Sequence, residues 1–227
     1  MAEAYAETGY LKGKDANWMN NTFACSHKVK FDLFRRYGAI AAAGDRHLAE
    51  FCEGKWYLRD PEQVKSWGFG LTPVKWRTDD LKKRLAKSAA LLSGEQVPTL
   101  RPTGEDGVSQ IRALLGLGTL VTNVNLPNRG QVPNLPYDAV VETNAVFSDG
   151  CVTPCMAGPL PGGIRGLVSR IVDAQETVVQ AAQERDLQKA FLAFANDPLV
   201  TVDMPTARTL FGEMVEGTKA YLGEYLK

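Results

Sequence analysis

Residues 119–154, TLVTNVNLPNRGQVPNLPYDAVVETNAVFSDGCVTP, decide the fold class. The first part, TLVTNVNL (119–126), alternates in polarity and is rich in β-branched residues, which predicts a strand. The proline, asparagine and glycine content of PNRGQVPNLPYD predicts an irregular loop after it. DAVVETNAVFSDGCVTPCMAG (138–158) predicts two further strands, joined at the Ser148–Asp149–Gly150 turn signal. A small antiparallel sheet is therefore expected in the middle of the chain.

Helical patterns surround this sheet on both sides. Apolar spacing predicts a helix from Asn17 to Arg36, ended by Gly38, and then a short helix that the Asp45 carboxylate is expected to cap. Further helices are predicted at 74–93, from 104 to about 115, at 164–194 and from Met204 to Leu226. The apolar faces of 74–93 and 164–194 are expected to form part of the core. The order of elements predicts an α+β fold, helix-rich with a small antiparallel sheet, and not an alternating βαβ fold.

Composition narrows the classes of partner. Lysine plus arginine equals aspartate plus glutamate, at 26 each, so the chain has no general positive field and nucleic-acid binding is disfavoured. No run of about 18 apolar residues predicts a membrane span. The N-terminal MAEAYAETGYLKGKD is acidic where a signal peptide would be basic. We therefore expect a cytoplasmic protein.

Four cysteines are present, at positions 25, 52, 151 and 155. Their even number would allow disulfides, but without a secretion signal free buried thiols are the better expectation. A structural zinc site is disfavoured, because the cysteines lack the usual short paired spacing and His27 and His47 are the only histidines. Cys25 is expected in the core, and His27 as a half-buried structural residue.

A dinucleotide-binding fingerprint is also missing from these residues. The nearest candidate, GLGTL at 116–120, precedes a predicted strand, whereas the phosphate-binding loop of such a fingerprint follows one.

Four longer motifs, in order, resemble the C-terminal domain of family 4 glycoside hydrolases, and GDRHLAEF within the first is most similar to the α-galacturonidases. These motifs are VKFDLFRRYGAIAAAGDRHLAEF (29–51), VNLPNRGQVPNLPYDAVVE (124–142), PCMAGPLP (154–161) and AFANDPLV (193–200). The resemblance extends from about residue 17 to about 225 and implies one domain over 1–227. It also implies a fold like the C-terminal domain of lactate and malate dehydrogenases.

The resemblance implies an unusual glycosidase chemistry that depends on NAD and on a divalent metal, usually manganese. In that family NAD⁺ oxidises the sugar at C3, a base takes the C2 proton, and the aglycone leaves by elimination. Water then adds and the hydride returns. The family's nucleotide loop and its metal-binding Cys and His precede the segment that this chain matches. We therefore expect the substrate and dimerisation half of such an enzyme, inactive alone, with a homodimer or a separate N-terminal half as partner. The alternatives are a non-catalytic fragment, a sugar-binding module and, least supported, a zinc-stabilised regulatory protein.

The GDRH element offers candidate contacts to a sugar. Asp45, Arg46 and His47 follow a glycine, where backbone and ligand could approach, and could form a wall of the sugar pocket. Arg46 is the candidate for a uronate carboxylate, since a guanidinium can clamp it with two hydrogen bonds. The structural alternatives are an Arg46–Glu50 salt bridge and a His47 satisfied by Asp45 or Glu50.

Tyr37, Asn128 and Arg129 complete the candidates. The resemblance implies a tyrosine base near Tyr37, but a phenol with an ordinary pKa of about 10 needs activation, and we favour a core-facing aromatic there. Asn128 and Arg129 are predicted to contact sugar hydroxyls, with satisfaction of the loop backbone as the alternative. In either case the loop from Asn125 to Pro136 is expected to be ordered and packed.

Overall fold

The computed structural model describes residue 23, residues 25–100 and residues 104–223. Within these ranges the chain starts with helices and continues through a sheet into further helices. The first group is α1 (Lys28–Tyr37), α2 (Asp45–Phe51), α3 (Gly54–Tyr57), α4 (Pro61–Ser66), α5 (Val74–Leu92) and α6 (Gly107–Leu114). Strands β1 (Leu120–Pro127), β2 (Val140–Ser148) and β3 (Cys151–Pro154) follow, and then α7 (Gly162–Glu184), α8 (Leu187–Ala195) and α9 (Met204–Leu222). The predicted helix-rich α+β fold is confirmed.

Helix α1 begins later than predicted. The expected helix from Asn17 to Arg36 is wrong at its start, because Cys25 forms an isolated antiparallel bridge with Phe69. His27 then has a left-handed backbone, with φ 60°, which interrupts helical hydrogen bonding until the next residue. Residues 17–22 and 24 of that prediction lie outside the described residues.

Asp45 caps a different helix from the one predicted. It is the first residue of α2, whose N-cap is Gly44, and its side chain makes no capping bond within α2. Instead its Oδ1 accepts a hydrogen bond of 3.0 Å from the Lys30 amide, in the first turn of α1. The carboxylate therefore satisfies an amide of α1 that has no partner inside its own helix. At the other end, Gly38 terminates α1 with φ 73°, as predicted.

The first helices enclose an apolar cluster that contains Tyr57, whose hydroxyl bonds to a half-buried carboxylate at the edge of the cluster. Tyr57 donates a 2.6 Å hydrogen bond to Oδ2 of Asp32, and Arg36 donates to the same oxygen at 2.9 Å. Burial raises the pKa of Cys52 to about 11, so this thiol stays neutral at physiological pH. The cluster consists of Val29, Leu33, Ala49, Cys52, Tyr57, Val64 and Phe69.

The sheet has the predicted antiparallel arrangement. Its strand order is β1–β2–β3, with Leu120 opposite Phe147 and Ala145 opposite Pro154. The β2–β3 turn is at Asp149 and Gly150, both with positive φ (46° and 78°), which is typical of a two-residue hairpin turn. Helix α6 packs on one face of this sheet and closes a second core, formed by Ala113, Ala145 and Phe147.

The predicted single helix over 164–194 is wrong, because the chain forms two helices there. Arg185 adopts a left-handed backbone (φ 57°) and ends α7. The Asp186 carboxylate then accepts hydrogen bonds from two amides of α8 and caps that helix. The turn lets α7 and α8 pack against each other.

For the remaining helices, the main difference between the prediction and the structure is which residues are buried. Helix α5 confirms the one predicted at 74–93, but its expected part in the core is wrong, because no residue of it is buried. Residues 224–226 of the last predicted helix lie outside the described residues. In the described parts, no helix combines the length and apolar character that a membrane crossing requires.

The loop between β1 and β2 is organised by one buried asparagine. The side-chain Nδ2 of Asn128 donates to the carbonyls of Val132, Leu135 and Pro136 at 2.9–3.1 Å. Its Oδ1 accepts from the amides of Gly130 and Val132. Asn128 is 1% exposed. Its hydrogen bonds therefore take the place of bonds to water in a loop that forms no β-sheet hydrogen bonds of its own.

The same loop holds the segment that leads into α7. The Gln131 carbonyl accepts from the amides of Ala157 and Gly158. The Asn134 side chain donates to the Leu160 carbonyl at 2.8 Å and accepts from the Leu160 amide at 2.9 Å. A third core, of Val132, Leu135 and Val141, packs against Leu160 and Val168. The prediction of an ordered, packed loop agrees with these contacts.

Replacing Asn128 by alanine is predicted to lower the free energy of unfolding by about 2–4 kcal/mol, because the change leaves several buried backbone groups without partners. Urea denaturation measures this change. Asn128→Asp should cost a similar amount at neutral pH, since a carboxylate would face the three carbonyls. The control is Asn123→Ala on the exposed face of β1, expected within about 0.5 kcal/mol of the parent. Equal stabilities for Asn128→Ala and Asn123→Ala would contradict the role of the Asn128 side chain in holding the loop.

Candidate functional site

The three polar residues of the GDRH element have three different sets of neighbours. Asp45 is fully buried and turns towards α1, as described above. Arg46 is half-buried, with its guanidinium 5.2 Å from the centre of the Phe23 ring. His47 is exposed, and its Nδ1 lies 3.3 Å from Oε2 of Glu50. The structural alternative for His47 is thus observed, and a contact of His47 or Asp45 with a sugar stays a prediction.

Arg46 is held over an aromatic pair. The Phe23 ring packs edge-on against Trp76, with ring centres 5.1 Å apart. The Arg46 guanidinium lies over the Phe23 ring. In the part of the chain that the structure describes, no carboxylate pairs with Arg46, and the alternative salt bridge to Glu50 is not formed. A stacked guanidinium keeps its edge N–H donors available for a planar anion.

Tyr37 joins the end of α1 to the start of α7. Its half-buried ring packs so closely on Gly163 that a Cβ there would lie 2.9 Å from Cδ1 and 3.0 Å from Cε1. Because Leu160, three residues before Gly163, is hydrogen-bonded to Asn134, the ring lies beside a segment that the β1–β2 loop holds. Tyr37 therefore packs, as we favoured, and its role as a base stays a prediction.

Asn128 and Arg129 differ although they are adjacent. Asn128 is buried and both polar atoms of its amide bind the loop backbone, which is the alternative weighed for it. Arg129 is exposed, pairs with Asp138 at 2.5 Å and lies 4.5 Å from the centre of the Tyr137 ring. Direct sugar contacts by either residue stay predictions.

One cluster was missed by the sequence analysis. Ligand atoms of Cys25, His27 and Asp45 all lie within 4.8 Å of one another. The expected core position of Cys25 is wrong, because the residue is exposed. The short C-x-H spacing was a signal, but the third member comes from α2 and only the fold brings it there. In the order of affinities for divalent metals, a site with thiolate and imidazole donors binds Zn²⁺ more tightly than Mn²⁺.

A nucleotide cofactor does not fit the described residues. Dinucleotides bind where a parallel strand meets a helix N-terminus through a glycine-rich turn. The strands described here pair only in antiparallel fashion, and Gly116 and Gly118 precede β1. We therefore assign no residue of the described chain to NAD.

Two surface grooves lie away from the predicted site residues. One, between α8 and α9, is lined by apolar side chains that include Phe191, Phe211 and Val215. The other, on α7 and α8, is more polar and includes Arg170 and Asp173. Neither is lined by a residue that the sequence analysis proposed.

Comparisons with known proteins give the same family as the sequence motifs. Residues 2–200 match the model of the family 4 glycosyl hydrolase C-terminal domain. An α-galacturonidase of Thermoanaerobacterium saccharolyticum is 57% identical over 218 residues, which are 96% of this chain and 47% of that protein. The chain thus spans about half the length of the curated relatives it matches.

Solved structures agree with this fold. A Bacillus subtilis protein described as a glucosidase is 45% identical, with a TM-score of 0.81 over 94% of this chain and 48% of its own. A 6-phospho-α-glucosidase from gut microorganisms, solved with NAD and Mn²⁺, has a TM-score of 0.66. It covers 96% of this chain and 48% of its own, and at 20% identity it shows the fold alone.

Two adjacent glycines test the packing of Tyr37. Gly163→Ala should place its methyl group against the ring and be about 1 kcal/mol less stable than Gly162→Ala, whose Cβ would meet nothing within 4 Å. Thermal unfolding compares the two variants. In a Tyr37→Ala background the difference should disappear, as a double-mutant cycle would show. A difference that persists there would mean that the methyl group clashes with something else.

Proposed function

Because the chain belongs to the family 4 glycosyl hydrolases as their C-terminal domain, we propose that it is the substrate-binding and dimerisation half of a glycosidase acting on α-galacturonides. The complete enzyme would depend on NAD and a divalent metal, held mainly by residues outside this chain. The reaction would be the oxidation, elimination, addition and reduction sequence of the family. The four cysteines are free thiols, which supports a cytoplasmic setting.

The observation that carries the substrate proposal is the setting of Arg46. A guanidinium that lies on Phe23 and has no carboxylate partner among the described residues retains donors for a ligand. A uronide differs from a neutral sugar by a planar carboxylate at C6, which two parallel N–H donors can bind. Its aromatic support limits the conformations of Arg46, so less entropy is lost when the carboxylate binds.

Tyr37 is the proposed base for the proton at C2. Contact with Gly163 fixes the ring at the junction of α1 and α7, so its hydroxyl has a defined position. A base must reach its proton within hydrogen-bonding distance, and a rigidly packed ring satisfies that geometric requirement.

The exposed face of α5 supports assembly with another polypeptide surface. Val74, Leu85 and Leu92 are 79%, 60% and 89% exposed on a helix that buries none of its own residues. Exposed apolar groups of this kind are expected where a second subunit or the nucleotide-binding half would cover them.

Reconstitution tests the proposal. The chain alone should neither bind NAD⁺ in calorimetry nor cleave aryl α-galacturonides. Combined with the N-terminal half of the α-galacturonidase of T. saccharolyticum, NAD⁺ and Mn²⁺, it should cleave aryl α-galacturonides in preference to aryl α-galactosides. Turnover by the chain alone would refute the two-half assignment. A reconstituted enzyme without turnover would favour the alternative of a non-catalytic sugar-binding module.

In that reconstituted enzyme, Arg46→Ala should lower kcat/KM for the galacturonide about 10- to 150-fold. This corresponds to ~1.5–3 kcal/mol for a hydrogen bond to a charged group. The galactoside should be affected much less, and Arg112→Ala, at an exposed position of α6, serves as the matched control. Equal losses on both substrates would exclude a carboxylate-specific role for Arg46.

Tyr37→Phe keeps the ring on Gly163 and removes the hydroxyl, so kcat should fall ~10²- to 10⁴-fold while the stability changes little. Exchange of the C2 hydrogen with deuterated solvent should be lost together with kcat. Tyr221→Phe, at a residue that is 89% exposed, is the control. If C2 exchange continued at the parental rate in Tyr37→Phe, another residue would be the base.

A further inference from the structure

The Cys25–His27–Asp45 cluster has the geometry of a small metal site. The Sγ of Cys25 lies 3.8 Å from Nδ1 of His27, and a carboxylate oxygen of Asp45 completes a triangle with sides of at most 4.8 Å. A tetrahedral zinc ion with ordinary Zn–S and Zn–N bonds would hold its sulfur and nitrogen ligands roughly 3.6 Å apart. Cys25 and His27 therefore need to move by only a fraction of an ångström, and the Asp45 carboxylate by about 1 Å at most.

The backbone that carries Cys25 and His27 is held by hydrogen bonds from the residue between them. Ser26, between them, donates from its amide to the Gly68 carbonyl at 3.0 Å and from its hydroxyl to the Trp67 carbonyl at 2.8 Å. His27 is held at φ 60°, a conformation that is uncommon for a residue other than glycine. Such strain persists only where the surroundings impose it, and here it directs the imidazole towards Cys25.

Asp45 supplies the independent observation that points to a ligand. Its side chain is fully buried, and while Oδ1 accepts from the Lys30 amide, Oδ2 has no hydrogen-bond partner among the described residues. A buried carboxylate oxygen without a partner is costly. A cation at this place would compensate the buried negative charge.

We propose that Cys25, His27 and Asp45 bind one zinc ion, with water as the fourth ligand. A thiolate, an imidazole and a carboxylate are all ordinary zinc ligands, and the thiolate favours Zn²⁺ over Mn²⁺. Cys25 is exposed, so the ion and the water can enter from solvent, and the thiol proton is released to solvent on binding. The proposal does not depend on the glycosidase function.

The consequence concerns the adjacent Arg46. Zinc would join the segment before α1 to the first residue of α2 and so fix the start of α2, where Arg46 follows Asp45. The Cys25 sulfur already lies near Gly44, where an added Cβ would come within 3.6 Å of it. We therefore assign the ion a structural and positioning role, in which it holds the GDRH turn beside Phe23.

The test is metal binding by the full 227-residue chain in a non-thiol reductant. Zinc is titrated in competition with a chromophoric chelator, and Co²⁺ replaces zinc as a spectroscopic probe. Each of Cys25→Ser, His27→Gly and Asp45→Asn should weaken zinc binding by at least about 100-fold, since loss of an outer-shell partner alone costs 10–100-fold. Glycine tolerates the positive φ of position 27, and asparagine keeps the acceptor for the Lys30 amide, so both variants should fold.

Cys151→Ser is the matched control, because it also removes an exposed thiol and lies outside the cluster. The parent chain and Cys151→Ser should each bind one zinc, gain thermal stability from it, and show a thiolate-to-cobalt charge-transfer band that Cys25→Ser lacks. Without zinc, Asp45→Asn should be at least as stable as the parent, since it removes an unpaired buried charge. The proposal is overturned if no stoichiometric zinc binds. It is equally overturned if Cys25→Ser and Cys151→Ser behave alike, or if Mn²⁺ binds as tightly as Zn²⁺.

Discussion

The amide side chain of Asn128 is the interaction on which the structure around the candidate site depends. The loop between β1 and β2 forms no ladder of its own, so its buried carbonyls and amides need partners from a side chain, and Asn128 provides them. Once the loop is closed, Asn134 can hold Leu160 by two hydrogen bonds. Leu160 sets where α7 begins, and the first turn of α7 receives the ring of Tyr37. A buried amide thus positions an aromatic residue that is distant in the sequence.

Asp45 has a comparable role where α1 and α2 meet. Its carboxylate starts α1 by accepting the Lys30 amide, although Asp45 itself belongs to α2. This contact turns one residue of the GDRH element inwards, while Arg46 lies on Phe23 and His47 faces solvent. Three consecutive polar residues therefore have separate functions: helix capping, proposed recognition of an anion, and a surface ion pair worth little energy.

Several features were predictable because they depend on local chemistry. The hairpin at Asp149–Gly150 follows from two residues that tolerate positive φ, and the end of α1 follows from Gly38. The candidate Tyr37 came from motif resemblance, and the candidate Arg46 from the chemistry of a guanidinium close to a glycine. The start of α1 was missed because His27 has a left-handed backbone, which is uncommon for histidine and is imposed by contacts with the segment around Gly68. The break at Arg185 was missed for a similar reason, since the apolar spacing continues through it.

The sequence by itself determined the fold class, the antiparallel sheet and the family, because alternation, turn residues and ordered motifs are properties of neighbouring residues. It did not determine which polar groups meet. Whether Asp45 capped its own helix or another, and whether Cys25 was in a core or beside His27, depended on how α1 and α2 pack. Hydrogen bonds and metal coordination act over a few ångströms in space, whatever the separation along the chain. Only the tertiary structure therefore decided that a cysteine, a histidine and a buried carboxylate lie together.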